Sequence, residues 1–313
     1  MTSSPPANYD ASWKEALERY FEQFLAFFFP QIHAEVDWQR GCEFLDSEFQ
    51  QMMRDAEVGK RFVDKLAKVW RCDGEEVYVL IHVEVQSQYD ADFSKRMYIY
   101  SYRIFDRYGR DVVSLAILGD ADRNWRPSSY HIDLWGCRVG IEFPIVKLLD
   151  YGDQFAQLAQ SLNPFARITW AHLQTQATTA DAEERLARKL QLVLGMQGLG
   201  YSEDTILELF RFIDLMMTLP PELDQAFDAE IRRYGAENAM PYLTTIERFA
   251  IERGRMESAR EGIAEVLDAR FGSVPPAVIE RLEQVNDGER LKQLLRQAST
   301  TNTMADFEGL LET

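Results

Sequence analysis

The sequence predicts an α/β layer structure followed by an all-helical region. Three observations carry that prediction. Two strand-like segments, a partly alternating one at 61–70 and a nearly continuous apolar one at 77–86, flank Asp73-Gly74, a strong hairpin-turn pair. A helix-period segment at 94–110 and a buried strand-like run at 111–118 follow directly. From about Tyr151 onward the periodicity is helical almost throughout.

The elements follow in order. Residues 1–12 are rich in Ser, Pro and Ala and are expected to be frayed. Trp13 to Phe29 repeats Trp13, Leu17, Tyr20, Phe21, Phe24, Leu25 and Phe28 at helical spacing, and Pro30 is expected to end that helix. A short helix is predicted around Asp46 to Asp55. The run VYVLIHVEVQ at 77–86 is apolar on both faces in its first half, which marks a central strand. Ser94 to Arg110 is a helix ending near Gly109, and DVVSLAIL at 111–118 is a buried strand. His131 to Trp135 and Val139 to Val146 are predicted as further strands. Helices follow at 154–162, 166–174, 180–194 and 202–219, where Pro220-Pro221 intervenes. More helices follow at 222–234 and 243–271, and two or three short ones after the break GSVPP. The expected division is a flexible terminus at 1–12, an α/β domain at 13–150, a helical extension at 151–250 and a small helical domain at 251–313.

Composition narrows the classes. Of 313 residues, 46% are hydrophobic and 27% charged, a globular balance that excludes disordered and fibrous chains. The net charge of −17 argues against a broad non-specific nucleic-acid binder, which needs many Lys/Arg contacts. Cys42, Cys72 and Cys137 form no CxxC pair and no disulfide framework, as expected in a reducing compartment. No signal-peptide pattern opens the sequence and no apolar run approaches the ~20 residues that span a bilayer, so a cytoplasmic protein with no membrane association is expected. The four histidines show no metal-ligand spacing, and neither a Gly-rich phosphate loop nor a GxSxG elbow is present. Trp125 and Trp135 read as packing and turn residues.

Chemistry concentrates on the hairpin. Asp64 lies within its first strand, and Glu84 and Gln86 end the second. Alternation places Glu84 and Gln86 on one face roughly 7 Å apart, with Leu80 and His82 beside them. An antiparallel hairpin can bring Asp64 to the same face. A carboxylate ending an apolar strand is costly to bury unless it is paired or binds a cation. A divalent metal removes the repulsion between two such acids, and oxygen ligands of this kind suit Mg²⁺ or Mn²⁺. The same two acids, taken singly, also fit solvent-facing strand charges.

An acid on one strand, then a turn, then acid-any-Lys is the pattern of PD-(D/E)XK nucleases; here the tripeptide is Glu84-Val85-Gln86. The surrounding residues resemble the recombination-promoting nuclease (Rpn) branch. The resemblance rests on VDKLAKV, HVEVQSQYDADFSKRMYIYSYRIFDRY, LAILGD, NWRPSSY, LLDY, NPFARITWAHL and LPPEL, and covers roughly residues 9–225. That branch usually carries Gln at the Lys position. The tail, from RFGSVPPAVIERLEQV onward, resembles a small helical domain of unknown function appended to such proteins.

The resemblance implies a restriction-endonuclease-like core, a mixed sheet flanked by helices, that hydrolyses DNA with Mg²⁺, or with Mn²⁺ in its place. Asp64, Glu84 and the Val85 carbonyl would hold the metal. Gln86 would orient the attacking water without the positive charge that Lys brings. Asp10 and Glu48 are candidate auxiliary acids. Removing Asp64 or Glu84 is expected to stabilise the metal-free protein by relieving repulsion, and Gln86→Lys to preserve or raise activity.

Arg96, Arg103, Arg107 and Arg110 fall at steps of 7, 4 and 3, one stripe of the 94–110 helix. Between 95 and 110 the net charge is +4, interleaved with tyrosines. A solvated helix face accounts for such a stripe in an arbitrary helix, but its place directly after the candidate metal strand favours DNA contact. The expected function is therefore Mg²⁺-dependent DNA endonuclease activity linked to recombination or mobile elements. The alternatives are a catalytically inactive DNA-binding or regulatory protein that keeps the nuclease fold, and a structural or interaction module built on the acidic helical part; the C-terminal helices are a candidate surface for homo-oligomerisation.

Overall fold

The computed structural model describes residues 9–45, 63–72, 78–238, 241–285, 287–301 and 303–311. Two compact units emerge, Met1–Phe227 and Asp228–Thr313, divided inside the helix Pro221–Asn238.

The first unit is α/β. Its mixed five-stranded sheet runs β1 (Glu43–Phe44), β2 (Val63–Trp70), β3 (Tyr78–Gln86), β4 (Val112–Leu118) and β7 (Ile145–Lys147). β2 pairs antiparallel with β3, while β3–β4 and β4–β7 are parallel. β3 is therefore central, as its two apolar faces predict. β5 (Ser129–Leu134) and β6 (Cys137–Glu142) form a separate hairpin. Its tip is Trp135-Gly136, both at positive φ (53° and 83°), as a two-residue hairpin turn demands. Trp135 is a turn residue but not a packing one, being 97% exposed.

Three predicted elements differ. The helix expected over Trp13 to Phe29 is two helices, α1 (Tyr9–Arg19) and α2 (Phe21–Phe28), broken at Tyr20 with φ −128° and ψ 39°. There the Tyr20 ring meets Phe212 edge-on at 6.3 Å and its hydroxyl donates to Glu208. The frayed segment 1–12 is helical from Tyr9, whose ring lies 4.3 Å from that of His172. The strand expected over 139–146 is divided between β6 and β7. Pro144 has no N–H to extend a ladder, and its carbonyl instead accepts from the Ala116 N–H of β4 at 3.1 Å. Pro30 does end α2, and a single helical turn, α3 (Pro30–His33), begins there. The short helix predicted at 46–55 lies outside the described residues.

The two faces of the sheet are covered by different helices. Leu66 and Leu80 pack with Tyr100 and Ile104 of α4 (Phe93–Tyr108), so α4 covers the face that carries Leu80, His82, Glu84 and Gln86. Gly109, at φ 60°, ends α4 in the left-handed conformation. Lys65, opposite Val83 in register, faces the other way and pairs with Glu18 of α1 at 3.0 Å. α1 and α2 meet the helix α6 (Pro164–Ala177) through aromatic rings: Trp13–Phe165 at 5.8 Å and Phe24–Phe165 at 5.3 Å. The helices α5 (Phe155–Gln160), α7 (Ala182–Leu194) and α8 (Glu203–Met216) complete this unit, with α9 (Pro221–Asn238) crossing its boundary. Among its buried charges, Lys189 reaches Asp214 at 2.6 Å, and Arg185 donates to the carbonyls of Thr175, Thr178 and Thr218.

The second unit is helical: α10 (Pro241–Phe271), α11 (Pro276–Gln284), α12 (Gly288–Thr300) and α13 (Met304–Leu310). Ile263, Leu267, Val278, Leu282, Leu291, Leu294 and Phe307 form its core. Arginines satisfy helix-end carbonyls, Arg260 those of Leu282 and Val285, and Arg290 that of Leu310. A capping box at Thr303 and Asp306 starts α13. Among the described residues no helix is long and apolar enough to cross a membrane.

Candidate active site

The register places Asp64 directly opposite Glu84, and Glu84 is in turn beside Ala116 of β4. Directly opposed residues of an antiparallel pair share one sheet face. Gln86 follows two residues on, at the end of β3 and beside Leu118. The side chains of Asp10 and Asp64 lie outside the described residues, as does Glu48 altogether. Asp10 belongs to the first turn of α1, whose Glu18 pairs with Lys65 on the sheet face opposite Glu84. Val85 stands between Val63 and Ile117 in the ladder, with its side chain buried.

Glu84 is fully buried, and a guanidinium meets it there. Arg96 donates to Glu84 Oε1 from Nε at 3.3 Å and from Nη2 at 2.9 Å. Nη2 also donates to Gln86 Oε1 at 2.9 Å, and Nη1 to Asp90 in the loop between β3 and α4. Gln86 uses its amide in the other direction as well, with Nε2 donating to the Gln88 carbonyl at 2.6 Å. His82 closes the inner side. Its Nε2 lies 3.7 Å from Glu84 Oε2, and its ring meets Tyr100 edge-on at 5.4 Å. Burial works against the Arg96 charge, but the charge of Glu84 and the bonds to Asp90 and Glu84 hold its pKa above the ordinary value.

Arg96, the first member of the stripe expected to contact DNA, is buried and turned toward Glu84 rather than lying at the surface. The stripe runs along the margin of the buried face of α4, formed by Phe93, Met97, Tyr100 and Ile104. At its first turn that margin lies over the strand ends. At its last turn it lies at the surface, where Arg107 is exposed and Arg103 half-buried, while Arg110, expected as the last member of the stripe, falls beyond the helix after Gly109.

The strand ends are tied to the helices behind the sheet by a relay of hydrogen bonds. Trp13 Nε1 donates to His172 Nδ1 at 3.2 Å, so the single ring proton is on Nε2, which donates to the Gly119 carbonyl at 2.8 Å. The Gly119 N–H donates to the Gln86 carbonyl at 2.8 Å. Burial pushes the His172 imidazole down to about 4, against the opposing pull of the Gly119 carbonyl and the charge of Asp120. Only glycine fits at 119, because a Cβ there would stand 2.7 Å from His172 Cε1 and 2.8 Å from Nε2.

By residue type, Glu84, the Asp64 opposite it in register and Gln86 two residues on carry the oxygen donors that a small hard dication takes, although Arg96 bonds the Glu84 and Gln86 oxygens here. Within the described side chains no group of three or more His, Cys, Asp or Glu is placed to hold a metal.

Two features escape the sequence reading. One is the inward turn of Arg96 toward Glu84, with Asp90 as its outer acceptor. The other is Asp120, buried at the end of β4 and ion-paired with Lys147, itself buried at the end of β7. A Gly-Asp pair closing a buried strand, and a lysine within the apolar run FPIVKLL, are the signals that point to it.

Comparison with known proteins adds no relative: no family model, no curated protein and no solved structure matches this chain.

Proposed function

We propose that this chain is a divalent-cation-dependent DNA endonuclease of the PD-(D/E)XK type, serving recombination or mobile-element processing as the resemblance to the recombination-promoting branch implies. The observation that supports it most is the register of β2 and β3, which pairs Asp64 with Glu84 and leaves Gln86 two residues beyond at the strand end. Asp64, Glu84 and the Val85 carbonyl would hold Mg²⁺ or Mn²⁺. That ion, when bound, polarises a phosphate and acidifies a water. Gln86 contributes a neutral donor and acceptor that orients water, and Arg96 contributes the positive charge that Gln86 lacks. Arg103 and Arg107 on α4, with Arg110 just beyond its end, would contact the phosphate backbone. Incubation with supercoiled plasmid in Mg²⁺, in Mn²⁺ and in EDTA tests the proposal, with nicking or linearisation expected only with a metal.

One observation favours a second reading, a DNA-binding protein without catalytic activity. The charge of Glu84 is already matched by Arg96. A gel shift that persists in EDTA, together with intact plasmid in both metals, selects that reading.

A further inference from the structure

We infer that Arg96 is a displaceable counter-cation, drawn off Glu84 when a nucleic-acid phosphate arrives, so that phosphate and divalent cation bind at Glu84 cooperatively. The inference rests on the reading of Glu84 as a cation holder and adds how that site is switched. Its basis is the sharing of one guanidinium among three side chains. Nε and Nη2 both donate to Glu84 Oε1, Nη2 also reaches Gln86 Oε1, and Nη1 holds Asp90. While Arg96 sits there, a dication at Glu84 would share its ligand oxygen with a fixed positive charge, and the two would repel. A guanidinium binds carboxylate and phosphate through the same two-pronged geometry, so a phosphate oxygen can replace Glu84 as its partner.

Asp90 makes the exchange local. Its side chain is 22% exposed, against 0% for Glu84, so Arg96 spans from a fully buried carboxylate to a partly exposed one. Losing Glu84 leaves Nη1 anchored at Asp90 and the guanidinium beside the entering phosphate. Arg96 also lies on the same helix stripe as Arg103 and Arg107, which leads a phosphate backbone toward it.

The test is Mn²⁺ binding, followed by titration calorimetry, with and without a short phosphorothioate duplex that resists cleavage. For the wild type, the duplex is expected to tighten Mn²⁺ binding roughly tenfold, an ordinary coupling between sites. Arg96→Gln is expected to bind Mn²⁺ roughly tenfold more tightly without duplex and to gain less than about twofold from it. Asp90→Asn removes the outer anchor and is expected to weaken Mn²⁺ binding without duplex. Lys95→Gln removes one exposed charge from the same helix and is expected to bind as the wild type does. A folded Arg96→Gln protein whose Mn²⁺ affinity is unchanged or lower overturns the inference. If that variant does not fold, a wild-type affinity indifferent to duplex overturns it equally. Glu84→Gln separates the two levels. If it binds Mn²⁺ as tightly as the wild type, the cation-site reading itself fails. If it loses Mn²⁺ while Arg96→Gln is unchanged, only the exchange fails.

Discussion

Nη2 of Arg96 stands 2.9 Å from Oε1 of Glu84 and 2.9 Å from Oε1 of Gln86, so one guanidinium joins the two strand positions that carry the proposed chemistry. That relationship changes what substitution at either position should do.

Relief of repulsion is not the outcome to expect at Glu84. Glu84→Ala leaves Arg96 with its main counter-charge gone inside a buried site. Breaking a buried pair from one side costs about 3–5 kcal/mol. Thermal unfolding in EDTA should therefore show a large loss of stability, with Glu84→Gln losing less because the amide still accepts from Arg96. A rise in melting temperature for Glu84→Ala would show that Arg96 does not hold this carboxylate.

Gln86→Lys should likewise be harmful, contrary to expectation from the wider nuclease pattern. An ammonium at 86 would replace the acceptor of Arg96 Nη2 with a like charge, at a cost of roughly 2 kcal/mol or more. The double variant Gln86→Lys/Arg96→Gln moves the single positive charge to the strand and should recover most of that stability, and cleavage with it. A double-mutant cycle read by unfolding and by plasmid nicking checks this. Strict additivity of the two changes would mean that residues 86 and 96 are independent.

The exposed end of the α4 stripe makes a salt-dependent prediction. Arg107→Ala/Arg110→Ala should weaken duplex binding and reduce the slope of log affinity against log salt by about 0.9 per lost phosphate contact. Fluorescence anisotropy across a salt series measures it. An unchanged slope would leave this face merely solvated.

Acid should unfold the first unit partly through His172. Its pKa is lowered from 6.5 to about 4 by burial, so the unfolded chain takes up this proton first as pH falls. The contribution is complete above about pH 6.5 and disappears on acidification through about pH 4. At about 1.4 kcal/mol per unit it is on the order of 3 kcal/mol. Protonation would also take Nδ1 away from Trp13, whose N–H it accepts. His172→Gln should be less stable at neutral pH, with a flatter profile between pH 6.5 and 4. Parallel curves for the two proteins would assign the acid sensitivity elsewhere.

Much of the fold was legible because its signals are local. Continuous apolar runs at 77–86 and 111–118 mark buried strands, and Gly109 closes a helix of unambiguous period. The break at Tyr20 was not legible, because it depends on Glu208 and Phe212, nearly two hundred residues away. Pro144 was visible yet passed over within an apolar stretch that reads equally well as one strand. At the site, alternation along β3 places Glu84 and Gln86 together, and the observed register sets Asp64 opposite Glu84. The inward turn of Arg96 was hidden because a basic stripe at helical spacing has the same pattern whether its first member faces solvent or a buried acid. Only the position of α4 over the strand ends separates the two.

Cleavage of supercoiled plasmid by Asp64→Asn in Mn²⁺ is the most direct test of the proposed activity. Asp64 is opposite Glu84 in register, and asparagine keeps its size while removing its charge. The wild type should nick the plasmid with Mn²⁺ and not with EDTA, and Asp64→Asn should be slower by roughly 10²-fold or more while melting as a folded protein. Wild-type nicking by Asp64→Asn, or equal nicking of the plasmid in EDTA, would contradict a cation site built on these two acids.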